Sequence, residues 1–294
     1  MSELKVTDGP PSTFLTRNEF LLRRLHSLSG LIPVGAYMVV HLLTNATILD
    51  SPLTFQKNVY TIHSLGQILP LVEWVFIFIP LLFHGIFGVV IIRGGLPNSS
   101  TYRYTNNIRY TLQRATGMIA LVFIMWHVFH MHGWIHAEWW TKGVAAPLGG
   151  HLFRPYNASS TAAEALAPLV VQILYAIGIL SSVFHLANGI WTFGLTWGIW
   201  ITPQAQRWAT NACVVFGLLL SVVGLSALGG FATKSKAQIE QIRKDENKMY
   251  DSKVASGDVT PADQKRWHDH AVHAKKGGSE APVNPPAEPA EETK

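Results

Sequence analysis

Four histidines, His41, His84, His127 and His185, each lie deep inside a different apolar stretch of this 294-residue chain. An ionisable ring buried in hydrocarbon is costly and by default marks function. For any one of them, a hydrogen bond across a helix bundle is the plainer reading. Four, one per stretch, can form two pairs, and two pairs of axial imidazoles are what two b-type haems need.

Histidines pair only at matching depth. At about 1.5 Å of rise per residue, His41 lies roughly 25 Å from Arg24 and His127 roughly 20 Å from Arg114. By the same rise, His84 lies about 14 Å from Arg93 and His185 about 18 Å from Trp197, taking Trp197 as an interface marker. The spacing therefore pairs His84 with His185 as an inner site and His41 with His127 as an outer one. Successive stretches alternate in direction, so each pair uses two parallel helices facing each other across a bundle. Glycines repeat with the histidines: His84 and Gly88 recur as His185 and Gly189, and Gly30 and Gly117 precede His41 and His127 by eleven and ten residues. Small residues there let a flat macrocycle or a neighbouring helix come close.

Haem propionates are anionic and call for basic and hydroxyl partners near an interface. By position, Arg24, Ser27, Arg114 and Thr116 suit the inner haem, and His26 meets either a propionate or solvent. His130 is one turn from His127 and competes with it as a ligand. His63 precedes the second stretch, where it serves a quinone or a proton path, or is a solvated loop residue.

These side chains need long apolar helices to carry them. About 20 mostly apolar residues cross a bilayer, and five segments qualify: 25–49, 69–93, 112–136, 166–197 and 208–232. The expected fold is an all-α integral membrane protein of five transmembrane helices, the first four bundled around two b haems. Only 14% of residues are charged, against about 25% in soluble domains. Ten Trp and fourteen Phe suit aromatic belts at two interfaces. The single Cys213 excludes an internal disulfide, a Cys-ligated iron–sulfur cluster and a covalently attached c-type haem. A formal charge of +5 is too modest to argue for nucleic acid, and no such partner is expected. The first apolar run is too long for a signal-peptide core and reads as an uncleaved span.

Three regions follow: an N-terminal segment 1–24, a membrane domain 25–232, and a polar tail 233–294 read as disordered, although 235–250 could form a polar helix. Lys and Arg concentrate in the N-terminal segment and in the loops after the second and fourth spans. The positive-inside rule makes these cytoplasmic, and five spans then leave the C-terminus outside.

The runs "RRLHSLSGLIPVGAYMVVHLLTN", "EWVFIFIPLLFHGIFGV", "LQRATGMIALVFIMWHVF" and "GILSSVFHLANGIWTFGLTWGIWITPQAQR" occur in this order. Together they resemble the five-helix, di-haem cytochrome b subunit of succinate dehydrogenase, the anchor of succinate:menaquinone oxidoreductases, related to the anchor of quinol:fumarate reductases. The likeness covers about residues 19–232 and leaves out the tail and much of the 141–165 loop. It implies a bacterial cytoplasmic membrane and a complex with a flavoprotein subunit, which oxidises succinate, and an iron–sulfur subunit, which passes electrons to this chain. The resemblance makes the His84–His185 haem proximal and of higher potential, and the His41–His127 haem distal and of lower potential. Menaquinone would be reduced near the distal haem. Some fumarate reductases carry a Glu two residues before the fourth ligand for a proton path. Val183 stands there in this chain, so that path is not expected.

Other readings weigh less. Cytochromes b of the bc type place two ligands on each of two helices, whereas this chain has one per helix. The b subunits of membrane hydrogenases and formate dehydrogenases distribute their histidines differently. A transporter relaying protons through its histidines would bind no haem.

Overall fold

The computed structural model describes residues 14–94, 105–135, 137–259, 261–262 and 265–267. Among these, the principal helices are α1 Glu19–Leu49, α2 Pro52–His63, α3 Gly66–Arg93, α4 Asn107–His132, α5 Ala158–Ala165, α6 Leu169–Thr196, α7 Pro203–Ala232 and α8 Lys236–Ala255. No strand occurs among the described residues. Five helices, α1, α3, α4, α6 and α7, are long and apolar enough to cross a membrane. The chain is thus a multi-pass, all-α membrane protein, as its apolar patterning predicts.

Local chemistry sets the helix ends. Ser51 caps α2, accepting from Thr54 N at 3.0 Å with Pro52 in the first turn, and Thr202 with Pro203 does the same for α7. The prolines inside spans are absorbed by wider turns. Residues Gly30–Gly35, which include Pro33, and Trp74–Phe78, just ahead of Pro80, are π-helical. A proline cannot donate to the carbonyl four residues back, and a local π turn accommodates the lost bond.

The spans form one bundle in which α6 is central, packed between α4 and α7, with α7 lying along α1 and α1 along α3. Leu42, Val183, Leu186 and Leu220 form an interior cluster of α1, α6 and α7. Most other large apolar side chains, such as Val122, Leu218 and Leu219, face outward, as lipid-facing residues do.

At the bundle end away from the N-terminus, α2, α5 and α8 pack into a cap. The polar helix allowed for at 235–250 forms here and runs on to Ala255, so the tail read as disordered is ordered at least that far. Ser235 and Gln238 form a complete capping box at the start of α8, and Ile239, Glu246 and Tyr250 are buried. The composition is polar because the helix is held by polar partners rather than by a large apolar face. Glu246 is fully buried; it accepts from Ser159 N at 2.6 Å and from Ser160 Oγ at 2.5 Å. Tyr60, Tyr156 and Tyr250 close the cap from α2, the 155–157 turn and α8. The tail beyond 267 and the first thirteen residues lie outside the described residues, as does the 95–104 loop.

Burial pushes the Glu246 carboxyl up from the usual 4.5 to about 7, with the hydrogen bonds of Ser159 and Ser160 opposing it. A raised folded value means that this carboxyl favours docking most below pH 4.5 and loses that contribution as pH rises through about 7. Protease cleavage within 236–255 is therefore expected to accelerate across this window, relative to Glu246→Gln measured at the same pH. An identical pH trend in both proteins would contradict it.

Candidate functional site: two histidine pairs in the bundle

Helix α1 carries His26 and His41, α3 carries His84, α4 carries His127 and His130, and α6 carries His185. The bundle brings the four histidines together in twos. The His84 and His185 rings lie 6.0 Å apart, centroid to centroid, and the His41 and His127 rings 5.9 Å apart, both edge-on. These are the pairs that the depth count predicts. Fifteen residues of α1 separate His26, which touches the first pair, from His41 in the second, so the pairs stand about 22 Å apart along the bundle.

The inner pair is built by a repeated device. His84 Nδ1 lies 2.9 Å from the His26 carbonyl, and His185 Nδ1 lies 3.0 Å from the Gln113 carbonyl. A carbonyl only accepts, so each Nδ1 carries the proton and each Nε2 keeps its lone pair. That is the tautomer a metal-binding imidazole needs, with the ring oriented by its second nitrogen. Four residues beyond each carbonyl stands a glycine against the same ring. A Cβ on Gly117 would come within 2.7 Å of the His185 ring, and one on Gly30 would collide with His84. Gly88 in turn faces His26, and Gly189 faces Gln113. The α1–α3 contact is thus repeated by α4–α6, residue for residue.

Around His185 the polar groups form one chain. The Gln113 amide donates to the His185 carbonyl at 3.2 Å and accepts from Asn188 at 2.8 Å. Arg109 Nε donates to Asn188 Oδ1 at 2.9 Å, and its guanidinium lies over the Trp191 ring at 3.8 Å. Sequence reading passes over Gln113 and Asn188. The available signal is that Asn188 sits one turn past His185, while Gln113 occupies on α4 nearly the place that His26 has on α1.

The residues proposed for propionates divide. Arg24 stacks between Phe20 and Trp197, and its Nε is buried with no partner. Ser27 accepts from Trp197 Nε1 at 3.1 Å. His26 is partly buried and stacks flat on His84 at 4.0 Å, with a buried, unpartnered Nδ1. Arg114 donates to the Ile91 carbonyl at 3.2 Å. Thr116 is not brought to the pair: its hydroxyl bonds the Leu112 carbonyl of its own helix at 2.7 Å.

The outer pair is held differently. His127 Nδ1 lies 3.1 Å from the Tyr175 hydroxyl, and so does His130 Nδ1, at 2.9 Å. His130 stacks on Trp126 and is buried. His63 is in neither pair. It lies in the cap against Tyr156, with burial and then the Lys265 ammonium pushing it down to about 4, so it stays neutral at ordinary pH.

The donor set suits an iron porphyrin. Two facing imidazoles flank each position, and glycines replace side chains beside the inner rings. Unpartnered buried donors, Arg24 Nε and His26 Nδ1, wait near one end. No cluster of three or more His, Cys, Asp or Glu side chains that could hold a metal ion occurs among the described residues.

The chain is 36% identical to the succinate dehydrogenase cytochrome b558 subunit of Bacillus subtilis (strain 168), over 213 residues that make up 72% of this chain and 97% of that relative. It belongs to the family of succinate dehydrogenase cytochrome b558 subunits. No protein-family model matches the chain.

Asn188 bridges Arg109 and Gln113 in the interior. Asn188→Ala leaves a guanidinium N–H and an amide oxygen unpaired and is expected to cost about 2 kcal/mol. The purified protein should melt several degrees lower, whereas an unchanged melting temperature would show that the chain of bonds is not formed.

Proposed function

We propose that this protein is the membrane anchor of a succinate dehydrogenase complex. His84 with His185, and His41 with His127, would hold two b haems that carry electrons from an iron–sulfur subunit to menaquinone. A flavoprotein subunit would oxidise succinate. One observation carries the reading: four histidines on four spans meet as two pairs, and the inner two have Nδ1 committed to backbone carbonyls. Membership of the cytochrome b558 family supports it.

When bound, haem supplies the one-electron chemistry, and the chain supplies binding, orientation and a dry surrounding. His84 and His185 would keep Nε2 as the lone-pair nitrogen for the iron, since Nδ1 is committed to a carbonyl. Arg24 and His26 offer their free N–H groups to the propionates of the inner haem, with Ser27 and Trp197 fixing the end of α1 against α6. Arg114 ties the start of α4 to the end of α3. The positive-inside bias supports a cytoplasmic location for this end, where the soluble subunits would dock, with the cap on the outer side. Two haems about 22 Å apart along the bundle divide one long electron transfer across the hydrocarbon core into short ones. The same geometry would serve quinol oxidation with fumarate reduction.

Redox titration of the purified complex should resolve two b-type components. His84→Ala and His185→Ala should each remove one of them and spare the other, while His41→Ala and His127→Ala remove the other. Gly117→Val, which drives a side chain into the His185 ring, should remove the same component as His185→Ala. Loss of different components in the His41 and His127 variants would refute the pairing. A colourless preparation would favour a proton-relay transporter instead.

A further inference from the structure

The Nδ1 atoms of His84, His185 and His127 have partners that differ in kind. His84 and His185 give Nδ1 to backbone carbonyls, which no substitution removes. His127 alone gives it to a side chain, the Tyr175 hydroxyl at 3.1 Å. Tyr175 stands on α6, ten residues ahead of His185, so it lies about 15 Å from that ligand along the helix. It is 5% exposed, wedged edge-on against Phe123 and Trp126. Its hydroxyl has a second neighbour, His130 Nδ1, at 2.9 Å.

One hydroxyl between two imidazoles leaves neither ring Nδ1 nor the hydroxyl proton unpaired in one directional arrangement when His127 binds through Nε2. His127 Nδ1–H donates to Tyr175 Oη, and the tyrosine proton is donated to His130 Nδ1. A hydroxyl that donates is a stronger acceptor, so His130 increases the pull of Tyr175 on His127. This also separates the two neighbouring histidines: His130 stacks on Trp126 and shares the hydroxyl, while His127 faces His41.

We propose that Tyr175 is a positioning residue that sets the reduction potential of the outer haem by accepting the Nδ1 proton of His127, with His130 as its backing partner rather than an iron ligand. The inference rests on the two-haem reading above. A hydrogen bond that makes a ligand imidazole more basic stabilises the oxidised iron. Removing the acceptor should therefore raise the potential of that haem only.

The test is potentiometric titration of the whole complex, with the electron paramagnetic resonance of the two oxidised low-spin haems recorded alongside. Tyr175→Phe should keep both haems and shift one reduction equilibrium several-fold toward the reduced form, where tenfold corresponds to about 59 mV for one electron. The shifted component should be the one lost in His41→Ala, and its resonance should move while the other stays. His130→Phe should move the same component, in the same direction, by less. It carries the test alone if Tyr175→Phe fails to assemble. Two haems with unmoved potentials in these variants would overturn the role of Tyr175, and loss of the outer haem in His130→Phe would overturn that of His130. Absence of any b-type spectrum in the unmodified complex would instead overturn the two-haem reading itself.

Discussion

An imidazole in the middle of an apolar bundle must have its N–H satisfied, because an unpaired polar group buried there costs several kcal/mol. At His84 and His185 this need is met by the carbonyl of a residue on the adjacent helix. Meeting it leaves Nε2 as the lone-pair nitrogen and sets the direction of the ring. It also demands that the helix supplying the carbonyl come close, which the facing glycines permit. Much of the bundle's arrangement follows from those two contacts: α1 against α3 and α4 against α6, each with a carbonyl, a glycine one turn on, and a histidine ring between.

The π turn at Gly30–Gly35 belongs to the same device. It lies where α1 meets the His84 ring, and Pro33 within it prevents regular α-helical bonding. On α4 no proline interrupts, and Gln113 and Gly117 repeat the contact within a continuous helix. One architecture is thus reached from two local sequences. The difference between the inner and outer pairs is of another kind. The inner rings lean on the backbone, whereas His127 leans on a tyrosine, which leaves its environment open to change through a single side chain.

Much of this was legible in the residues. The five spans follow from apolar length, and the pairing follows from depth, since helical rise converts residue counts directly into distance. Less legible was anything set by lateral packing. His26 reads as an interface residue by its neighbours Arg23 and Arg24, yet α1 and α3 turn it flat onto His84. Thr116 lies at a suitable depth but spends its hydroxyl on its own helix. Tyr175 and Gln113 look like ordinary span residues until the opposing helix is known. The docking of the cap escapes sequence reading most fully: a polar helix near Lys236–Ala255 is legible, but what holds Glu246 are Ser159 and Ser160, more than eighty residues earlier in the chain.

The family, the five spans and the paired rings converge on an electron-carrying membrane anchor. The proposed function requires that each pair hold one haem. Haem b content per chain in the purified complex, measured by pyridine haemochrome absorbance against protein concentration, tests this most directly. Two haems per chain are expected, falling to one when either member of a pair is replaced. One haem or none in the unmodified complex would contradict the assignment of both pairs.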